Sequence, residues 1–180
     1  MCNLEHASVW KLTSNLLLKN VKADVYTLFV PENQIDAFAD ITPIGFKIFA
    51  EETLSEAYKD KLLQACKQKE NELRFGWYLQ QFNKFQALKM SEYENLIIWD
   101  SDCVPVKPIP LFSNKNLPIY MFASEMNIHY FDTIKKLLDL ERVQKQSFVI
   151  PGFPILKVWV NSFFNEMETL QGTVWYDALL

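Results

Sequence analysis

The chain has 180 residues, 49% of them hydrophobic and 14% aromatic, so it can bury one substantial core. Its formal net charge is -4 and it has no block of lysines or arginines, which argues against nucleic acid as a partner. The three cysteines, Cys2, Cys66 and Cys103, show no paired spacing, which favours a reducing compartment over disulfides or a zinc site. With only four glycines, the chain has neither a GxGxxG turn nor a P-loop.

Hydrophobic periodicity predicts helices that alternate with strands. The predicted helices are residues 8–19, 32–39, 53–73, 77–90, 127–140 and 157–170. The predicted strands are residues 24–30, 46–50, 96–99 and 118–124, and residues 148–155 form an irregular strand pair or bend around Pro151 and Pro154. This alternation is typical of an α/β sandwich with a largely parallel sheet, in a single domain over residues 1–180.

No apolar run reaches the length of a membrane span, and the first 18 residues lack the uninterrupted apolar core of a signal peptide. Glu5, His6 and Lys11 interrupt that stretch. We therefore expect a cytoplasmic protein.

The most informative motif is the apolar strand 96–99, which runs directly into Asp100-Ser101-Asp102. Strand alternation would put both carboxylates on one side, at the carboxyl end of the strand, where α/β sheets bind ligands. Two such oxygen ligands suit Mg²⁺ or Mn²⁺, and either ion suits a diphosphate. Alone, an Asp-x-Asp (DxD) motif is weak, because strand ends are often acidic where the chain enters solvent.

The predicted helix 77–90 carries a mixed face with Gln80, Gln81 and Lys84 between Trp77 and Leu88. A buried lone ammonium is costly, so a phosphate would satisfy Lys84. The simpler alternative is that Lys84 extends its charged end to water.

Residues 84–102 resemble glycogenin-like and galactosyltransferase-like enzymes of the GT-A fold. In that family, a helix lysine precedes a Leu-x-x-Tyr turn, an apolar strand and Asp-x-Asp, with a Leu-Phe pair downstream. Here these positions hold Lys84, Tyr93, Asp100 and Asp102, and the pair is Leu111-Phe112. Residues 74–81 are similar to bacterial relatives associated with surface-polysaccharide synthesis.

The resemblance implies a Rossmann-like, three-layer α/β/α sandwich and a glycosyltransferase activity. Asp100 and Asp102 would hold Mn²⁺ or Mg²⁺ against the diphosphate of a nucleotide-sugar donor, with a UDP-sugar favoured, and Lys84 would neutralise phosphate charge. Arg74, Gln81 and Gly152 are further donor-binding candidates. The acceptor would be a glycan or a lipid-linked glycan, which allows peripheral association with the inner face of the membrane.

The chain departs from the GT-A pattern at both ends. The first strand, which helps to hold the nucleotide base, is missing or very short. The late segment, which often carries a third metal ligand such as histidine, is also missing, and Asp177 is a faint substitute for it. The resemblance therefore predicts a domain that is incomplete at its N-terminal strand and its C-terminal segment.

The catalytic base or nucleophile is not identified by the sequence. Glu125 and His129 follow the predicted strand 118–124 and could meet an acceptor hydroxyl, but helix capping by Ser124, with Glu125 and Asn127 in the first turn, explains the same residues.

Two other functions stay open. One is a non-catalytic nucleotide-sugar-binding remnant. The other is a haloacid-dehalogenase-type phosphatase, with Asp100 as nucleophile and Asp102 as acid/base.

Overall fold

A computed structural model of the chain describes residues 2–180. Over that range, eight α-helices and four strands form a mixed α/β structure, so the predicted class is confirmed at this level. The helices are α1 (Ala7–Asn20), α2 (Ile35–Ile41), α3 (Glu52–Ser55), α4 (Lys59–Gln68), α5 (Phe75–Met90), α6 (Ile128–Leu138), α7 (Lys157–Gln171) and α8 (Trp175–Leu179). The strands are β1 (Tyr26–Val30), β2 (Phe46–Ala50), β3 (Asn95–Trp99) and β4 (Gly152–Leu156). In the described part of the chain, no helix combines the length and apolarity needed to cross a membrane.

The strands form two separate pairs instead of one largely parallel sheet. β1 pairs with β2 in parallel, with Leu28 opposite Ile48. β3 pairs with β4 in antiparallel orientation, with Ile98 opposite Phe153. The prediction of a mostly parallel central sheet is thus corrected for β3, because side-chain alternation fixes which face is buried and not the direction of pairing.

Two predicted elements differ from the structure. Residues 118–124 form no strand and make only two isolated bridges, from Pro118 to Phe112 and from Ala123 to Ser147. The segment is apolar up to Ser124 and begins with a proline, so it lacks the alternation that specifies one partner. The single predicted helix 53–73 is divided into α3, α4 and a 3₁₀ turn, and Glu70 between the last two has a positive φ of 51°.

β3 lies between two hydrophobic cores. Its residues Leu96 and Ile98 face the larger core, which is built on α4, α5, α7 and α8. Ile97 and Trp99 pack against the second core, which is built on α1, α2 and the β1–β2 pair. The alternation of this one strand therefore joins the two cores.

The register of β4 explains how its prolines are tolerated. The Asp100 N–H donates to the Pro151 carbonyl oxygen at 2.9 Å, and the Lys157 N–H donates to the Glu94 carbonyl at 2.8 Å. Directly bonded pairs alternate along an antiparallel ladder, so Pro154, opposite Ile97, falls at a position whose backbone nitrogen points away from β3. Pro154 removes no hydrogen bond from this pair and indicates that β4 is an edge strand on its other side.

Two charged side chains connect α5 with α7. The Lys157 Nζ donates to the carbonyl oxygens of Leu88 (3.0 Å) and Lys89 (2.7 Å) in the last turn of α5. The Glu168 carboxylate accepts from Lys89 Nζ at 2.5 Å and from the Trp175 N–H at 3.1 Å. Burial raises the pKa of Glu168, but these two hydrogen bonds outweigh it, and the pKa lies below its ordinary value.

The depressed pKa of Glu168 predicts a pH-dependent stability. We expect Glu168→Gln to lower the free energy of unfolding by about 1 kcal/mol at pH 7, because Lys89 is partly exposed and the pair is screened by solvent. This contribution is present above the unfolded pKa, near 4.3, and is lost as the pH falls through the lower folded pKa. Urea denaturation between pH 7 and pH 3.5 measures it, with the exposed neighbour Glu166→Gln as control. An equal difference at both pH values would contradict the assignment.

Candidate functional site

The acidic motif lies in a turn directly after β3. The strand ends at Trp99, and the Cys103 N–H donates to the Asp100 carbonyl oxygen at 3.0 Å, which closes a turn over residues 100–103. We call this segment the DSD turn. Because the chain turns at Ser101 and Asp102, strand alternation no longer decides where Asp102 points. The Asp102 side chain is exposed, whereas that of Asp100 is 35% exposed.

Lys84 on α5 forms an ion pair with Asp100. Its Nζ lies 2.6 Å from Asp100 Oδ1, and the lysine side chain is only 19% exposed. The sequence offered phosphate or water as the partner of the Lys84 ammonium. In the structure, its partner is the Asp100 carboxylate. A charge-assisted bond of this kind orders both groups. An incoming cation or phosphate would have to compete with this ion pair.

Trp99 and Gly152 support the DSD turn at the end of β3. The Trp99 Nε1 donates to the Cys103 carbonyl oxygen at 2.7 Å, which fastens the end of the turn to the last residue of β3. Gly152 is opposite Trp99, and a Cβ there would lie 2.4 Å from the indole Cζ3. Gly152, which the sequence named as a donor-binding candidate, is thus in close contact with Trp99. Trp99 was missed by sequence reasoning, because its role is visible only once the register with Gly152 is known.

Cys2 places the carboxyl end of β1 beside the DSD turn. Its backbone N–H donates to the Phe29 carbonyl oxygen at 3.2 Å, and its thiol is hydrogen-bonded with the Ser101 side chain. At the same end of the sheet, the Glu51 N–H donates to the Val30 carbonyl oxygen at 2.8 Å. Burial, together with neighbouring Glu52, raises the pKa of the Glu51 carboxyl group. Glu51, like Trp99, was not identified from the sequence as a candidate site residue.

The two thiols near the turn are poor nucleophiles. Burial raises the pKa of Cys2 above its ordinary value. Burial, followed by the charges of Asp102 and Asp100, raises the pKa of Cys103 to about 11. Both side chains are therefore protonated near neutral pH, which is unlike a catalytic cysteine.

The other predicted donor-binding residues lie at different distances along α5. Gln81 is one helical turn from Lys84 on the same face, and its amide nitrogen donates to the Trp77 carbonyl oxygen at 3.4 Å. Arg74 precedes the helix and is exposed, about 15 Å from Lys84 along the helix axis. One ligand could reach Lys84 and Gln81 together, whereas Arg74 requires an elongated ligand.

Glu125 and His129 are both exposed, and no hydrogen bond or ion pair among residues 2–180 joins them to the DSD turn. The His129 Nδ1 lies 3.6 Å from an Asp132 carboxylate oxygen. Asn127 Oδ1 accepts from the His129 N–H at 3.1 Å and caps α6. A cap is thus present as expected, but it is Asn127 and not Ser124, because the helix begins at Ile128.

Two shallow pockets lie away from these residues. One lies along residues 52–60, and the other lies between residues 18–26 and 108–110. Neither includes Asp100 or Asp102, and the DSD turn is instead open to solvent through Asp102.

Residues 5–180 match DUF6492, a family of unknown function, and the chain belongs to this family. No curated protein and no solved structure matches the chain.

The contact between Gly152 and Trp99 predicts an opposite outcome for two glycine substitutions. Gly152→Ala should lower the free energy of unfolding by roughly 1–3 kcal/mol, because the new methyl group overlaps the indole ring. Gly76→Ala on α5 is the matched control, since no atom of the described residues lies within 4 Å of its Cβ position, and it should stabilise by about 0.5–1 kcal/mol. Urea denaturation followed by tryptophan fluorescence measures both. An unchanged midpoint for Gly152→Ala would show that Trp99 is free to move.

Proposed function

We propose that the chain is a metal-dependent glycosyltransferase domain of the GT-A type, which transfers a sugar from a nucleotide-diphosphate donor to a glycan or lipid-linked acceptor. The observation that carries this proposal is the arrangement of Asp100, Asp102 and Lys84. Two carboxylates share one turn at the end of β3, and an ammonium lies 2.6 Å from the first of them. These are the charges needed to bind a diphosphate through a divalent cation and a lysine.

The residues fit a metal ion that is shared with its substrate. Mg²⁺ and Mn²⁺ prefer carboxylate oxygens, and Mg²⁺ is commonly held by one or two carboxylates together with phosphate oxygens and water. Asp100 and Asp102 would be the protein ligands. Among residues 2–180, no cluster of three or more His, Cys, Asp or Glu side chains is placed to hold a metal. When bound, the ion would supply Lewis-acid stabilisation of the leaving diphosphate.

Lys84 has two roles in this proposal. Without ligand, it balances the charge of Asp100. If Asp100 were a ligand of the ion, the Lys84 ammonium, now 2.6 Å from Asp100 Oδ1, would be available to neutralise a phosphate oxygen. Gln81, one turn earlier, would donate to the same ligand. Trp99 and Gly152 hold the turn, and thereby keep the two carboxylates in place before the ligand arrives.

The proposal includes a Rossmann-like fold for the chain. β3 has a hydrophobic core on each face, and the parallel β1–β2 pair meets the DSD turn through Cys2. Both features support a Rossmann-like arrangement with helices on two sides of the strands. A UDP-sugar as donor and a role in surface-polysaccharide assembly follow from the resemblance of residues 74–102. The proposed cytoplasmic location is supported by the three cysteines, which show no paired spacing.

Calorimetry with UDP, GDP and CMP, each with and without Mn²⁺, tests the donor site. We expect one nucleotide to bind only with the metal, and Asp102→Asn to remove this metal dependence. Asp102 is a more selective choice than Asp100, because among residues 2–180 its exposed side chain has no lysine partner that a substitution would leave unpaired. Lys84→Met should weaken nucleotide binding roughly tenfold to a hundredfold. The exposed Asp36→Asn on α2 is the control and should bind as the unmodified chain does.

Each alternative predicts a different result. Unchanged metal-dependent binding in Asp102→Asn would contradict the metal assignment. Binding without sugar transfer or donor hydrolysis would indicate a non-catalytic nucleotide-sugar-binding module. Hydrolysis of p-nitrophenyl phosphate that is abolished by Asp100→Asn would assign the motif to a phosphatase instead.

A further inference from the structure

Four aromatic side chains form a cluster beside the DSD turn. Tyr120 contacts Phe153 and Phe148, with ring centroids 5.3 and 5.5 Å apart, and Phe122 contacts Phe148 at 5.4 Å. The extended segment that carries Tyr120 and Phe122 is attached at its end, where the Ala123 N–H donates to the Ser147 carbonyl oxygen at 2.9 Å. We call Tyr120, Phe122, Phe148 and Phe153 the aromatic cluster.

The register of β4 places this cluster next to Asp100. The Asp100 N–H donates to the carbonyl oxygen of Pro151, which directly precedes β4. Phe153 lies two residues after Pro151, so it is on the same face of the pair as Asp100. Diagonal neighbours of this kind have backbones about 7–8 Å apart, which is within reach of an aromatic side chain. The cluster therefore begins at the edge of the proposed donor site.

The outer rings of the cluster are open to solvent. Phe122 is 62% exposed and Phe148 is 37% exposed, whereas Tyr120 is half-buried beneath them. Burial raises the pKa of Tyr120, in agreement with this enclosed position. Exposed aromatic rings grouped beside polar groups are a usual composition of ligand sites.

We propose that the aromatic cluster is the acceptor subsite and that it binds the ring of a neutral sugar. Calling the sugar an acceptor rests on the proposed transferase function. The binding of a sugar to the aromatic cluster does not depend on that function. A ligand that spans this surface meets the carboxylate of Asp100 at one end and aromatic faces at the other. A sugar ring satisfies both ends, since its hydroxyl groups donate to carboxylates and its C–H face packs on an aromatic ring. An acyl chain would remove water from the carboxylate without replacing its hydrogen bonds.

Saturation-transfer NMR on the full chain tests this proposal without nucleotide or metal. The probes are the methyl glycosides of glucose, galactose, mannose and N-acetylglucosamine. We expect at least one to receive saturation at its ring protons, and Phe122→Ser and Phe148→Ser each to weaken its binding roughly threefold to tenfold. Phe49→Ser is the matched control, because Phe49 on β2 is 45% exposed and, among the aromatic side chains of residues 2–180, contacts the ring of Phe29 alone. It should bind as the unmodified chain does.

The outcomes separate this subsite from the donor site. Saturation that is lost in Phe122→Ser supports the subsite even if calorimetry finds no nucleotide binding. Absence of saturation for all four glycosides overturns it even if a nucleotide binds. Sedimentation with phosphatidylglycerol vesicles, or a concentration-dependent dimer, that is lost in Phe122→Ser without any sugar binding would also overturn it, in favour of a membrane or a second copy.

Discussion

The structure depends on a single short strand, β3, that packs against a hydrophobic core on each face. Each of its two cores takes two side chains from β3, and the strand continues without interruption into the DSD turn. Packing on two sides fixes the strand in position, because any shift of one residue would exchange the side chains between the cores. The polar turn is thereby supported by a rigid element. A site built on such a strand keeps its geometry better than one carried by a loop alone.

Electrostatic balance within the site depends on Lys84. Three charged groups, Asp100, Asp102 and Lys84, leave one net negative charge, and the lysine neutralises the carboxylate that is less exposed. A partly enclosed carboxylate without such a partner would resist ionisation or disturb the fold. Under the proposed function, this ion pair would compete with a bare cation for Asp100, and a phosphate group would offer the lysine a new partner. Metal and diphosphate would then bind with positive coupling.

Much of the local structure could be predicted from the sequence, and the reasons for the misses are physical. The strand before Asp100 and the helix around Lys84 were predicted because apolar periodicity is strong there. The ion pair itself was not, since no local rule relates Lys84 to Asp100 across a helix and a strand. The antiparallel partner of β3 follows after a long connection, and Pro151 and Pro154 obscured it. A proline disrupts strand pairing only where its backbone nitrogen would have to donate a hydrogen bond to the partner strand, and the sequence alone does not show which positions those are. Residues 118–124 have strand-like composition, but no neighbouring strand completes their hydrogen bonds.

The contact between Trp99 and Gly152 has a consequence for how sequences of this family can diverge. The two positions share one volume, so a larger residue at 152 requires a smaller one at 99. A smaller residue at 99 would in turn give up the indole hydrogen bond to the Cys103 carbonyl and loosen the turn. A single substitution at either position therefore costs stability, and a compensated exchange has to replace the anchor of the turn at the same time. Across DUF6492, the pair should be inherited as a unit wherever the two carboxylates are retained.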